Sequence, residues 1–98
     1  KLPTIKKEYH IDLVIANGEN SAEGNGILPG SAELLFSAGV DVITGGNHSL
    51  RRREIYPMLD ENSFLLRPAN YPNTVPGKGL TIVDLGYTSV AVINILCF

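Results

Sequence analysis

Side chains that can bind a metal ion or move a proton follow two apolar runs of this sequence, each where a strand is expected to end. The run 12–17, DLVIAN, leads through one glycine to Glu19–Asn20, and the run 40–44, VDVIT, leads through two glycines to Asn47–His48. Carboxylate and carboxamide oxygens with an imidazole nitrogen suit manganese, iron or zinc, whereas structural zinc sites favour thiolates. The pattern indicates a catalytic metal site with a histidine beside the ligands.

The segment between the two runs determines whether their ends meet. Ser31 is a predicted helix N-cap, residues 32–38 predict a short helix, and Gly39 suits the position after its last turn. This order of strand, helix and strand predicts a right-handed crossover, which makes the two strands parallel. Both strands then end at the same edge of the sheet, where open parallel sheets bind their ligands.

The remaining segments complete an α/β fold of mostly parallel strands. Residues 2–9 predict a helix, and 49–59 predict another that Pro57 would kink or shorten. The segment 63–72 predicts a third short strand, whose end is set by Pro68. The apolar runs on either side of 85–89 predict a C-terminal hairpin, which we expect as an antiparallel addition to the sheet.

Composition restricts the class of protein. The 98 residues carry a formal net charge of -2 and one cysteine, which argue against a general nucleic-acid binder and an internal disulfide framework. No apolar run approaches the roughly 18 residues of a membrane span, and the first residues lack the apolar region of a signal peptide. We therefore expect one cytoplasmic domain with no membrane contact and no stable nucleic-acid complex.

These signals also have a purely structural interpretation. Asn17–Gly18 is a common two-residue hairpin turn, and asparagines cap helices and fill turns for local hydrogen-bonding reasons. Residues 20–30 do not resemble a return strand, which counts against the hairpin. A lone histidine is more often structural than a ligand, and that is our interpretation of His10. The pattern alone leaves the metal site and the structural interpretation both open.

Two further residues are candidates for substrate binding near this edge. Arg51 opens a three-residue basic run that would attract a phosphate, although such a run at a helix start is more often a solvated face. Asn70 follows the end of the third predicted strand and would join the same edge.

Five segments, in this order and spacing, give the chain a family resemblance over nearly all of its length. The segments are DLVIANGEN, AGVDVITGGNH, RPANYP, PGKG and VAVIN. Together they resemble the bacterial calcineurin-like metallophosphoesterases of the 2′,3′-cyclic-nucleotide 2′-phosphodiesterase type. The loop after His48 departs from that pattern, since Ser49, Leu50 and Arg51 stand where the family has Thr-Trp-Asp.

The resemblance implies part of an αββα sandwich with two divalent metal ions, iron or manganese in preference to zinc. It implies that Glu19 would bridge the two ions, Asn20 would bind one, and Asn47 would bind the other. His48 would be the catalytic histidine. The ions would clamp a phosphodiester or cyclic nucleotide, and His48 would protonate the leaving oxygen or steady the phosphoryl oxygens.

The resemblance also implies that residues 1–98 form a single partial domain. The family's first strand, with its Gly-Asp motif, and its C-terminal half, with later histidines, lie outside this sequence, so about half of the expected ligands are present. We expect little activity from the isolated chain, because each lost ligand weakens metal binding. The alternative is a catalytically inactive binding or assembly module, whose exposed sheet edges would favour a homo-oligomer.

Overall fold

The computed structural model describes residues 1–18, 27–46, 53–72 and 74–96. Within these ranges the chain forms α-helices, one 3₁₀ segment and β-strands, so a mixed α/β fold is confirmed. In chain order they are α1 (Leu2–Glu8), β1 (Ile15–Asn17), α2 (Pro29–Ala38), β2 (Val42–Thr44), the 3₁₀ segment (Arg53–Ile55), α3 (Tyr56–Glu61), β3 (Leu80–Asp84) and β4 (Ser89–Ile93). None of these helices has the length and apolar character that crossing a membrane requires.

β1 and β2 are parallel neighbours joined through α2, which confirms the predicted crossover. Their register sets Asn17 beside Thr44 at the carboxyl ends of the two strands. A third segment runs parallel to β2, since Leu65 forms a single bridge to Ile43. The predicted third strand is therefore reduced to one paired residue within the described chain, but its direction is as expected.

Each of the three described α-helices has a proline in one of its first two positions, and at α2 and α3 this bears on two details of the sequence analysis. α2 begins at Pro29, so Ser31 is a helical residue and the prediction that it caps the helix is wrong. α3 begins at Tyr56 with Pro57 in its first turn, which agrees with the predicted shortening of this helix and not with a kink. The physical reason is the same in both cases, because the first turn needs no N–H from proline and its fixed φ is already helical. Gly39 ends α2 with a φ of 114°, as predicted for the residue after the helix.

Alternating side chains of β2 place apolar residues on both faces of the parallel sheet. Ile43 belongs to a core on the helical face, whose buried members are Ile27, Ala32, Val40, Ile43, Ile55, Leu59 and Leu65. Val42 belongs to a second core on the opposite face, formed with Leu66 and Val92. The described elements therefore form three layers, which are the helices, the parallel sheet and the hairpin.

The first strand is less buried than its apolar sequence predicts. Ile15 is 48% exposed, and Asn17 is exposed as well. Among the described residues β1 has one strand neighbour, β2, and it forms the edge of the sheet. An apolar run such as DLVIAN predicts a strand that is buried on both faces, and this prediction is wrong for the described chain.

β3 and β4 form the predicted antiparallel hairpin. Asp84 pairs with Ser89, and the Leu85 N–H donates to the Thr88 carbonyl at 2.8 Å to close the turn. The hairpin is a separate two-stranded sheet and does not extend the parallel one as we expected. The reason is packing, because the hairpin buries Val92 against the parallel sheet.

The opposite face of the hairpin is apolar and exposed. We call it the outer hairpin face, and its exposed apolar members are Leu80, Ile82, Ala91 and Ile93. Ile82 is 62% exposed and Ile93 is 58% exposed. In a stable α/β protein such a face is usually covered by another layer.

Candidate functional site

The carboxyl ends of β1 and β2 lie side by side, and the candidate site residues follow them in the sequence. The Gly18 N–H donates to the Thr44 carbonyl at 2.9 Å, one step beyond the paired ends of the strands. Glu19 is the next residue after Gly18, and Asn47 is the next after Gly46. The two segments that carry the predicted ligands therefore start from the same sheet edge.

Most of the predicted site residues lie outside the described ranges. They are the predicted metal ligands, the predicted catalytic histidine and one predicted substrate-binding residue: Glu19, Asn20, Asn47, His48 and Arg51. Their roles stay predictions, and so does the substrate role of Asn70, which is described. Among residues 1–18, 27–46, 53–72 and 74–96, no three His, Cys, Asp or Glu side chains come together as a metal site.

Gly18 is required by packing and not by a hairpin turn. A type I′ turn needs a positive φ at both central residues, and neither Asn17 nor Gly18 has one. A Cβ atom on Gly18 would lie 2.9 Å from Ile43 Cγ2 and 3.0 Å from Ile27 Cδ1. The glycine lets the chain leave β1 close against the helical core, so the two-residue hairpin interpretation is wrong.

Asn94 binds the first glycine after β2 through both polar ends of its carboxamide. The Gly45 N–H donates to Asn94 Oδ1 at 2.6 Å, and Asn94 Nδ2 donates to the Gly45 carbonyl at 3.1 Å. Asn94 is 7% exposed and directly follows β4. These two hydrogen bonds connect the end of the hairpin to the end of the parallel sheet.

Tyr71 binds the second of the two glycines that follow β2. Its hydroxyl donates to the carbonyl of Gly46 at 3.3 Å. Gly46 is buried, and it directly precedes the predicted ligand Asn47 in the sequence. The main chain that leads to Asn47 is thus contacted by side chains from two separate segments.

Asn70 connects its own loop to the residues after β4. Its Nδ2 donates to the Leu96 carbonyl at 2.7 Å, and its Oδ1 accepts from the Leu96 N–H at 3.1 Å. A carboxamide has two N–H groups and two acceptor positions on its oxygen. The bonds to Leu96 therefore use one N–H and one acceptor position of Asn70.

Arg67 is a buried cation that binds main-chain carbonyls. It is 5% exposed, and its guanidinium donates to Pro68 at 2.9 Å, Gly77 at 3.1 Å and Pro76 at 3.3 Å. These bonds fix the PGKG segment against the start of the RPAN segment. Because the guanidinium is enclosed by carbonyls, its role in this structure is to hold the loops.

Sequence reasoning missed Asn94, Tyr71 and Arg67. The one signal for Asn94 is that it ends the alternating run VAVIN, which is also the end of a strand. Its partner Gly45 is 49 residues away, and Tyr71 is 25 residues from Gly46. Contacts over such distances leave no periodic signal in the sequence.

The chemistry of the predicted donors fits divalent metal ions. Glu19 offers a carboxylate, Asn20 and Asn47 offer carboxamide oxygens, and His48 offers an imidazole, which are ligands that manganese and iron accept. Every buried polar side-chain atom in the described part of the chain already has a hydrogen-bond partner.

Known proteins share both the sequence and the structure of this chain. It is 40% identical over 94 residues to the 2′,3′-cyclic-nucleotide 2′-phosphodiesterase of Bacillus subtilis strain 168, a match that covers 96% of this chain and 36% of that relative. A hypothetical protein from Thermus thermophilus has 44% identity and a TM-score of 0.86, over 96% of this chain and 36% of its own. A novel phosphatase from Mycoplasma pneumoniae has 30% identity and a TM-score of 0.86, over 99% and 36%.

Each of these matches covers the same fraction of the relative's own length. The chain spans about a third of the length of each relative, with 36% covered in each case. The model of the YmdB-like protein family matches residues 1–97, which is almost the whole chain. The resemblance found in the sequence is thereby confirmed, and the chain belongs to the YmdB-like protein family.

Proposed function

We propose that this chain is part of a metal-dependent phosphoester hydrolase, a phosphodiesterase that acts on cyclic nucleotides or related phosphodiesters. The observation that carries the proposal is the 2.9 Å hydrogen bond from Gly18 to Thr44, which joins the strand ends that precede Glu19–Asn20 and Asn47–His48. The reaction class is supported by the relatives, of which one is named a phosphodiesterase and another a phosphatase.

Glu19, Asn20 and Asn47 would hold two divalent ions, iron or manganese in preference to zinc. When bound, such ions supply positive charge that polarises a phosphoester and activates water. Of the three side chains only Glu19 is charged, so these residues add one negative charge to the site. An anionic phosphoester is then repelled less than it would be by three carboxylates.

His48 would act on the leaving group. An imidazole can hold a proton near neutral pH and donate it to the leaving oxygen, or donate a hydrogen bond to a phosphoryl oxygen. Arg51 would attract the phosphoester by its charge. Asn70 would contact the substrate with the N–H that Leu96 leaves unused.

The proposed architecture is part of an αββα sandwich. The three described layers correspond to helices, one sheet and a second sheet. The outer hairpin face is apolar and exposed, and a fourth layer would bury it. Covering the side chains of Ile82 and Ile93 alone would stabilise such a packing by about 2–4 kcal/mol, at about 25 cal/mol per Å² of apolar surface.

The same face supports a second candidate function, a catalytically inactive binding or assembly module. An exposed apolar sheet face of this kind can pair with a second copy of the chain. This candidate predicts a homo-oligomer without hydrolysis. The two candidates differ in whether the complete protein turns over a phosphodiester.

The test is manganese-dependent hydrolysis of bis-p-nitrophenyl phosphate by the complete product of the reading frame that contains these residues. The substitution is His48→Asn, and the matched control is His10→Asn at the other histidine. Asparagine is chosen because His10 has a φ of 55°, which asparagine tolerates better than most residues. We expect His48→Asn to lower kcat by about 10²- to 10⁴-fold, the usual contribution of a general acid, and His10→Asn to leave it unchanged.

Two results would contradict the proposal. One is a complete protein that binds manganese by calorimetry and hydrolyses neither this ester nor a 2′,3′-cyclic nucleotide, which would favour the assembly module. The other is equal activity of the two histidine variants, which would remove His48 from the chemistry. We expect the isolated 98 residues to show little activity in the same assay.

A further inference from the structure

We propose that Asn94 is a positioning residue that fixes the main chain of Gly45 and thereby the point from which Asn47 and His48 leave the sheet. The inference rests on the proposed function of Asn47 and His48. It deepens that function, because it adds a residue that touches neither metal nor substrate.

The two hydrogen bonds of Asn94 have the geometry needed to orient a glycine. Its carboxamide accepts from the Gly45 N–H at 2.6 Å and donates to the Gly45 carbonyl at 3.1 Å. A residue in an antiparallel pair makes the same two bonds to its partner. Glycine has wide freedom in φ and ψ, and bonds to both of its polar groups restrict the two peptide planes that flank it.

Asn94 is itself fixed by the surrounding main chain. Its N–H donates to the Gly79 carbonyl at 2.8 Å, and its carbonyl accepts from the Ala69 N–H at 2.6 Å. The residue is only 7% exposed, so water does not compete for these bonds. Its main-chain and side-chain bonds thus connect separate segments at one point.

Tyr71 restricts the peptide bond that follows Gly46. Its hydroxyl donates to the Gly46 carbonyl at 3.3 Å, and this carbonyl belongs to the peptide bond whose nitrogen is that of Asn47. Asn94 and Tyr71 belong to different segments of the chain, and they bind the consecutive residues Gly45 and Gly46. Tyr71 is the second positioning residue of the inference.

The experiment compares Asn94→Asp, Asn94→Ala and Tyr71→Phe in the complete product of the reading frame. Asn94→Asp keeps the acceptor for the Gly45 N–H and removes the donor to its carbonyl, whereas Asn94→Ala removes both. The controls are Asn62→Asp and Asn62→Ala, because Asn62 Oδ1 also accepts a main-chain N–H, that of Phe64 at 2.9 Å, but in an exposed position and within its own segment.

Three kinds of measurement are made, and two of them do not depend on activity. They are hydrogen exchange at the Gly45 amide, manganese affinity by calorimetry, and kcat and KM for bis-p-nitrophenyl phosphate. We expect the Asn94 variants to lose about 10- to 100-fold in kcat and in manganese affinity, as is typical when a residue that orients metal ligands is changed, with KM altered far less. Faster Gly45 exchange is expected in Asn94→Ala.

Tyr71→Phe removes one hydroxyl and is expected to show a smaller loss, about threefold in kcat. The Asn62 variants are expected to match the unsubstituted protein. If Asn94→Ala does not fold, Asn94→Asp and Tyr71→Phe decide the question.

The inference is overturned if folded Asn94→Asp and Tyr71→Phe both keep normal kcat and normal manganese affinity while the unsubstituted protein is active. That result would leave the proposed function intact. An unsubstituted protein that binds manganese and hydrolyses neither the ester nor a 2′,3′-cyclic nucleotide would instead overturn the proposed function, and the inference with it. The activity of the unsubstituted protein therefore distinguishes a failure of this inference from a failure of the proposed function.

Discussion

The C-terminal hairpin is bonded to the rest of the chain at both of its ends, and the two ends differ in burial. At the end of β4, buried Asn94 makes two bonds to Gly45. At the turn, the Tyr87 hydroxyl donates to Asp12 Oδ2 at 2.6 Å, with Tyr87 73% exposed. Both contacts join distant parts of the sequence, but only the first is shielded from water.

The difference shows which end of the hairpin fixes its position. Water can replace an exposed hydrogen bond at little cost, whereas a buried donor that loses its partner carries the full cost of desolvation. The hairpin is therefore positioned mainly from the end that adjoins Gly45 and the candidate site. The bond between Tyr87 and Asp12 at the turn contributes less, because water can replace it.

The strongest test of this comparison is Asn94→Ala. It removes two hydrogen bonds and leaves the Gly45 N–H and carbonyl without their partners, so we expect a loss of about 2–4 kcal/mol in the free energy of unfolding. Urea denaturation of the complete protein measures this loss. Asn62→Ala is the control, and equal losses for the two substitutions would refute the special role of the buried end.

A second test uses two glycines, one at each end of the hairpin. A Cβ atom on Gly79 would overlap Ala69 Cα, so Gly79→Ala must move the main chain and is expected to cost about 1–3 kcal/mol. Gly86 has open space around it but a φ of 91°, so Gly86→Ala is expected to cost about 1 kcal/mol through strain alone. Thermal unfolding compares them, and the reverse order would contradict the packing argument.

Asn70→Ala sharpens the comparison, because Asn70 lies near the same end as Asn94 but is exposed. It loses two bonds to Leu96 that water can replace, so we expect a loss of only about 0.5–1 kcal/mol in the free energy of unfolding. If Asn70 also contacts the substrate, KM rises while kcat changes little. A loss of stability as large as that of Asn94→Ala would show that burial does not decide the cost.

The smallest effect is expected at the turn, from Tyr87→Phe. The hydrogen bond to Asp12, with smaller contributions from desolvation and from the charge of Asp12, raises the pKa of Tyr87 above its ordinary value of 10.0. A raised pKa means that the stabilisation is fully present below the ordinary pKa and is lost as the pH rises through the folded-state pKa.

We therefore expect a small stability difference between the unsubstituted protein and Tyr87→Phe at neutral pH, which disappears above the raised pKa. Urea denaturation at about pH 7 and at several alkaline pH values measures it. Tyr9→Phe, at another exposed tyrosine, corrects for general alkaline effects. A difference that is the same at every pH would contradict the assigned contact between Tyr87 and Asp12.

The sequence predicted the elements of the fold where local signals were strong. The helix at the start, the crossover with Gly39 after its helix, and the hairpin around 85–89 are all present in the structure. Each depends on residues that are close in sequence, such as a glycine after a helix or alternation along a strand. Ser31 was a wrong prediction because Pro29 is a stronger local signal for a helix start.

The site could be predicted only in outline. The order of strands and glycines placed Glu19 and Asn47 after strand ends that the structure brings together. The contacts of Asn94 with Gly45 and of Tyr71 with Gly46 could not be predicted, because they join residues that are 49 and 25 positions apart in the sequence. The same limit applies to the hairpin, whose position as a separate layer depends on packing between distant valines.

The carboxamide of Asn94 has one further consequence, which concerns ionic conditions. It carries no charge and gains none in the range where proteins are folded, so its bonds to Gly45 do not respond to ionic strength or to protonation. An ion pair in that place, such as the one between Lys6 and Asp41 at 3.1 Å, would weaken in salt. If the proposed function holds, salt and buffer effects on catalysis would therefore report the substrate and the reacting groups, since the bonds between Asn94 and Gly45 do not change with them.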